Sequence, residues 1–130
     1  MTFSIDKWKK NINKGSEVLV KSKEDVICCL QSLNGENVTQ LVANGKDGAL
    51  LIGGGADNFI VTYILGNNTE FYNLINEEFI NSNEDVEVVT GGQAGIFPKS
   101  MVVDFETALS SLLYFFSFQE CNPELIWDNE

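Results

Sequence analysis

The stretch Asp104-Phe105-Glu106-Thr107-Ala108-Leu109-Ser110-Ser111-Leu112-Leu113-Tyr114-Phe115-Phe116-Ser117-Phe118 decides the fold. Phe105, Ala108, Leu109, Leu112, Leu113 and Phe116 recur at the three- and four-residue spacing of one helix face. Asp104 precedes the stripe, and a carboxylate there can accept from the first free amides of a helix. Tyr114, Phe115 and Phe118 widen the stripe, which predicts a helix over 105–118, almost embedded against a sheet and finished before Pro123.

Working outward, Ser22-Lys23-Glu24-Asp25 has the form of a second helix start, with Ser22 as N-cap and Asp25 at the third helical position. Val26, Ile27, Leu30 and Leu33 follow helical spacing, and Asn34-Gly35 ends the run, giving a helix over about 23–33. The rest of the chain changes period. Residues 17–20, 38–42, 49–52, 59–65, 86–89 and 101–103 are short apolar or β-branched runs separated by turn residues, and they are predicted strands. Asn44-Gly45-Lys46-Asp47-Gly48 signals a hairpin, while 69–80 fits either a strand or a short helix. Gly53-Gly54-Gly55 and Gly91-Gly92 are predicted loops. The triple glycine is expected to be a loop or bulge, because it lies between apolar strands and opens no helix that could hold a phosphate. The expected fold is α+β: a single domain over 1–130, with a largely antiparallel sheet packed against two helices.

Charge narrows the function. Nineteen acidic residues oppose eight basic ones, all lysine, for a net charge of −11. Residues 1–46 hold seven lysines and five acids, whereas residues 47–130 hold Lys99 alone against fourteen acids. Such a surface repels nucleic-acid phosphates and anionic lipid, so neither nucleic acid nor membrane is an expected partner, and a basic protein is. The N-terminal Met1-Thr2-Phe3-Ser4-Ile5-Asp6-Lys7-Trp8 has no apolar signal-peptide core, and a cytoplasmic location is expected.

Chemistry is sparse. The chain has no histidine or arginine and none of the phosphate-loop or nucleophile-elbow motifs, so no catalysis and no cofactor are expected. Cys28 and Cys29 are neighbours on a helix and diverge by about 100°, so they do not pair. With Cys121 they lack zinc-site spacing, and all three are expected to be reduced structural thiols with no metal.

The C-terminal third carries a resemblance. Gly91-Gly92, Pro98, Met101-Val102-Val103-Asp104, Ala108, Phe115-Phe116, Asn122-Pro123-Glu124 and Ile126-Trp127 together resemble immunity protein family one of bacterial polymorphic toxin systems, over about residues 86–129. In that family a double glycine and a proline-containing strand precede a helix with an inward alanine and a late phenylalanine, then a proline and a near-terminal tryptophan. The chain departs at Cys121-Asn122, where a glycine-containing turn is usual, and in the unusually apolar helix 105–118, for which a dimer face is the alternative reading. The resemblance implies a cytoplasmic antitoxin that binds a cognate toxin domain, often one of the nucleic-acid deaminase fold. An acidic secretion chaperone for an effector is the alternative that the charge also fits.

A toxin acting on nucleic acid needs a basic groove for phosphates and a pocket for the base. The expected mechanism is therefore occlusion: acidic loops within 53–90 replace the substrate backbone, and an aromatic or apolar residue blocks the pocket mouth. The expected toxin contacts are Asp57, Glu70, Glu77, Glu78, Glu84 and Asp85, with Tyr63 and Tyr72 as aromatic anchors. Trp127 is expected to plug the core, whereas Trp8 either crosses a sheet edge or leads a mobile arm.

Overall fold

The computed structural model describes residues 1–66 and 69–129. Helix α1 spans Lys23–Gln31, and Ser22 Oγ accepts from the amide of Asp25 at 3.2 Å, as the sequence predicts. Helix α2 spans Phe105–Phe118, and the Asp104 carboxylate accepts from Thr107 N at 2.9 Å. It ends at Gln119 in the left-handed conformation, four residues short of Pro123.

Among the described residues, seven antiparallel strands form the main sheet. Strand β1 (Thr2–Ile5) starts the chain, a small hairpin of β2 (Trp8–Lys9) and β3 (Ile12–Asn13) follows, and β4 is Ser16–Leu19. After α1 come β5 (Gln40–Asn44), β6 (Gly48–Gly55), β7 (Asn58–Leu65) and β8 (Glu70–Leu74). A separate ribbon pairs β9 (Asp85–Thr90) with β10 (Gln93–Pro98), and β11 (Trp127–Asn129) closes the main sheet at its edge. The sheet order is β11-β8-β7-β6-β5-β1-β4.

Period-two alternation divides β6 and β7 between two cores. Leu50, Ile52, Phe59, Val61 and Tyr63 face the helices and pack with Leu30, Ala108, Leu112 and Phe115. Each fully buried Leu or Phe there contributes about 1.5–3 kcal/mol of apolar burial. Ile60 faces the other way, against Val88 and Val102, so the ribbon covers part of the second sheet face.

Three expectations are corrected, and one left open is resolved. Gly53-Gly54-Gly55 is buried strand, paired with Ile60, Phe59 and Asn58, and the chain turns at Ala56-Asp57 instead. A side chain at Gly53 would run into Thr90, and one at Gly55 into the backbone of Asn34 and Gly35, so close approach explains the run. Residues 101–103 form no strand: Lys99–Met101 is a 3₁₀ turn, and Val103 makes a single bridge to Phe59. The segment 69–80 is both of its alternatives in succession, strand β8 and then a 3₁₀ turn at Glu77–Phe79. Helix α2 is less embedded than its composition suggests, because Phe118 is 62% exposed and stacks only on Tyr114.

Both tryptophans are fixed. Trp8 lies in the β2–β3 hairpin against Gly92 and donates its Nε1–H to Asp6 Oδ2 at 2.7 Å, so it is neither a sheet-crossing residue nor a mobile arm. Trp127 packs on the core from the edge strand, half-buried, and donates to the Asn122 carbonyl at 2.9 Å.

Candidate acidic docking surface

The β6–β7 turn, the segment after β8 and the start of α2 meet at one end of the sheet. Asn76 organises the junction: its amide donates to Ser100 O, its Nδ2 donates to Val102 O at 2.9 Å, and its Oδ1 accepts from Glu78 N. The 3₁₀ turn thereby points Glu77 and Glu78 to solvent. Asp57 Oδ1 accepts from Phe105 N at 2.8 Å, so a turn residue helps cap α2. Ala56 and Asp57 both have left-handed φ angles, +50° and +69°, in a two-residue turn normally given to Asn-Gly or Gly-Gly. Aspartate tolerates this conformation, whereas Ala56 holds it at a cost of about 1–3 kcal/mol that the tight turn imposes.

These elements enclose a cleft of about 300 Å³ lined by Asp57, Glu78, Asp104, Phe79, Lys99 and Thr107, among others. Hydrogen bonds from the Thr107 side chain and backbone hold the Asp104 carboxyl below its ordinary value, so it is ionised at neutral pH. Lys99 is the cation on the lining, and it is engaged: Nζ lies 2.9 Å from Glu84 Oε2 and 4.2 Å from the centre of the Phe79 ring. The cleft therefore presents a negative field. A second, mainly apolar hollow of about 610 Å³ adjoins it, lined by Leu30, Leu33, Ala56, Phe59 and Phe105 together with the polar Gln31 and Asn34, and Asp57 borders both. Ile80 stands 58% exposed directly after Glu77-Glu78-Phe79.

The structure brings together five of the expected contacts. Asp57 and Glu78 share the cleft, Glu77 adjoins Glu78, and Glu84 and Asp85 enter through Lys99 and the start of β9. Glu70, Tyr72 and Tyr63 lie elsewhere. Glu70 pairs with Leu65, seven residues along β7 from the cleft-lining Asn58, which is about 23 Å of strand. Tyr63 is 6% exposed and packs edge-on against Phe115, so it offers no anchor; burial, with Cys121, Glu120, Asp47 and Tyr72 adding, raises its pKa. Tyr72 is half-buried beside it. The sequence did not single out Ile80, which stands exposed beside the cleft, and assigned Asp104 only its capping role, although it also lines the cleft. The available signal for Ile80 was the change to Asn81-Ser82-Asn83-Glu84-Asp85 directly after it, which leaves no following apolar position to continue a buried face.

Burial, with Glu120 adding, pushes the Cys121 thiol up to about 12, and burial, then Asp25 and Cys28, raises Cys29, so neither is an activated nucleophile. Among the described residues no three His, Cys, Asp or Glu side chains are grouped to hold a metal, and no helix is long and apolar enough to cross a membrane. Compared with models of known protein families and with curated protein sequences, the chain matches none.

Proposed function

We propose that this chain is an immunity protein, acting in the bacterial cytoplasm, that binds a cognate basic toxin domain and blocks its active-site face. The observation that carries the reading is the acidic cleft of Asp57, Glu78 and Asp104, joined through Asp57 to an apolar hollow and flanked by exposed Ile80. An apolar centre with a charged rim is the anatomy of a protein interface, and the sign of the rim selects a basic partner. The likeness of residues 86–129 to the immunity family supports the class of partner, a nucleic-acid deaminase toxin. In this mechanism the carboxylates take the place of substrate phosphates on the toxin's lysines and arginines, and Ile80 closes the pocket mouth.

The test uses the product of the neighbouring gene, where this reading expects the toxin domain. Charge reversal in Glu77→Lys with Glu78→Lys is expected to slow association about tenfold at low salt and to flatten its salt dependence. The remote Glu70→Lys should change neither. An oligonucleotide substrate and this protein should displace one another. An unchanged association rate after reversal refutes the steering, and a ternary complex with substrate still seated refutes occlusion.

A further inference from the structure

The outer edge of the β9–β10 ribbon is open, and we propose that it pairs with the same edge of a second copy of this chain to form a two-fold dimer. The inference is independent of the toxin reading. Among the described residues β10 pairs with β9 alone. The Gly91-Gly92 turn, with φ angles of +61° and +78°, closes on the Thr90–Gln93 pair. Two-residue turns close on a hydrogen-bonded pair, so the alternation continues through Val88–Gly95 and Val86–Phe97 and turns the N–H and C=O of Ala94 and Ile96 outward.

An exposed edge is a template for strand pairing, and proteins that remain monomeric blunt such edges with charge, proline or a bulge. Residues 93–97 carry no charge and no proline, and Ile96 is 65% exposed. Pro98, which has no N–H, marks where pairing stops. A two-fold axis through Gly95 sets Ala94 opposite the partner's Ile96, with each such pair exchanging both backbone hydrogen bonds.

Charge complementarity selects a second copy as the occupant. The Gln93 end of the ribbon sits on the lysine-rich hairpin: Gly92 packs on Trp8 and donates to Thr39 Oγ1 at 3.0 Å, and Lys7, Lys9, Lys10 and Lys14 surround Trp8 in sequence. None of these lysines has an ion-pair partner among the described residues. The Pro98 end carries Asp85, with Glu84 already paired to Lys99, and Glu87 lies opposite Ile96, so this end stays net negative. Antiparallel pairing places the basic end of each ribbon at the acidic end of the other, twice in one closed assembly. The exposed Ile96 and Ala94 then lie together at its centre.

Light scattering on the purified full chain, coupled to gel filtration and run over a concentration series, tests this. Twice the chain mass of 14.4 kDa is expected at low salt, with self-association weakening as salt rises. Ile96→Lys puts a charge on the edge, and Ala94→Pro removes an outward N–H that the β9 pairing does not use. Both should abolish the dimer while leaving the circular dichroism spectrum unchanged, and Lys9→Glu with Lys10→Glu should weaken it about tenfold. A wild-type chain that stays monomeric at millimolar concentration overturns the proposal. So does a dimer that survives Ile96→Lys.

Discussion

Asp6 is the polar residue on which the N-terminal third of the fold converges, and Asp6→Asn is expected to cost about 3 kcal/mol. The side chain is 8% exposed and makes no ion pair among the described residues. Oδ1 accepts from Thr39 N at 2.6 Å and Gln40 N at 2.9 Å, and Oδ2 accepts from Thr39 Oγ1 at 2.5 Å and Trp8 Nε1 at 2.7 Å. Asparagine keeps the Oδ1 pair but sets an NH₂ group against the indole N–H, which can only donate. The Thr39 hydroxyl can turn to accept from the new amide, and it then leaves its own proton without an acceptor. Two bonds to a charged acceptor are lost at about 1.5–3 kcal/mol each, and partial relaxation returns some of that. For a chain of this length the loss is about 10 °C in Tm. Urea unfolding followed by tryptophan fluorescence should show a lower midpoint with an unchanged slope. Trp8→Phe removes the competing donor, so Asp6→Asn should cost about 1 kcal/mol less in that background. An Asp6→Asn variant within about 0.5 kcal/mol of wild type, or a double-mutant cycle with no coupling, refutes the assignment of Asp6 as the hub.

Asp104→Ala removes the α2 cap and should destabilise by about 1 kcal/mol at neutral pH. Because the folded carboxyl titrates below its ordinary 3.8, this advantage is full above that value and shrinks as pH falls through the lower folded one, so urea midpoints of wild type and variant should differ at pH 7 and approach each other as the solution is acidified below the ordinary value. Trp127→Ala is expected to cost about 2–3 kcal/mol, below the 3–5 of a fully buried aromatic, because the ring is half-buried at the sheet edge; thermal melts check it, and a larger loss would show that the Trp127–Asn122 bond holds the whole C-terminal return.

The two helices were legible because each announces itself locally. A side-chain cap and a 3.6-residue stripe lie within the same fifteen residues, and no distant contact is needed to see them. The Asn44–Gly48 hairpin was legible for the same reason. Strand β1 was not, since Thr2–Ile5 is four residues long and owes its place to pairing with β4 and β5, up to about forty residues away. The triple glycine misled because glycine reports close backbone approach as readily as a turn, and the approaching groups, Thr90 and Asn34-Gly35, are remote in sequence. Tyr63 was misplaced because β7 is apolar on both faces: alternation divides Phe59, Val61 and Tyr63 from Ile60 without saying which set meets the helices. The acidic residues at 77–85 were visible as a run. Their junction with Asp57 and Asp104 depends on the Asn76 bonds to Ser100 and Val102, which no sequence pattern records.

Asp57 is where stability and the proposed binding coincide, and that decides how the site must be probed. Its Oδ1 satisfies the first amide of α2, and its left-handed backbone forms the β6–β7 turn, so Asp57→Ala combines a lost cap, a worse turn residue and a lost charge. Loss of toxin binding in that variant would carry no information about recognition. Asp57→Asn separates the effects. Asparagine adopts the left-handed conformation at least as readily as aspartate, and it retains an oxygen to accept from Phe105 N, so stability should change by under about 1 kcal/mol. The charge alone is removed. If the cleft recognises a lysine or arginine, binding to the toxin domain should weaken about tenfold or more, the scale of one charge-assisted hydrogen bond at about 1.5–3 kcal/mol. The loss should appear mainly in the dissociation rate, since a contact at the centre of an interface governs residence more than encounter. A variant that folds like wild type and binds like wild type would remove the cleft from the interface and leave Asp57 as a residue of the fold alone.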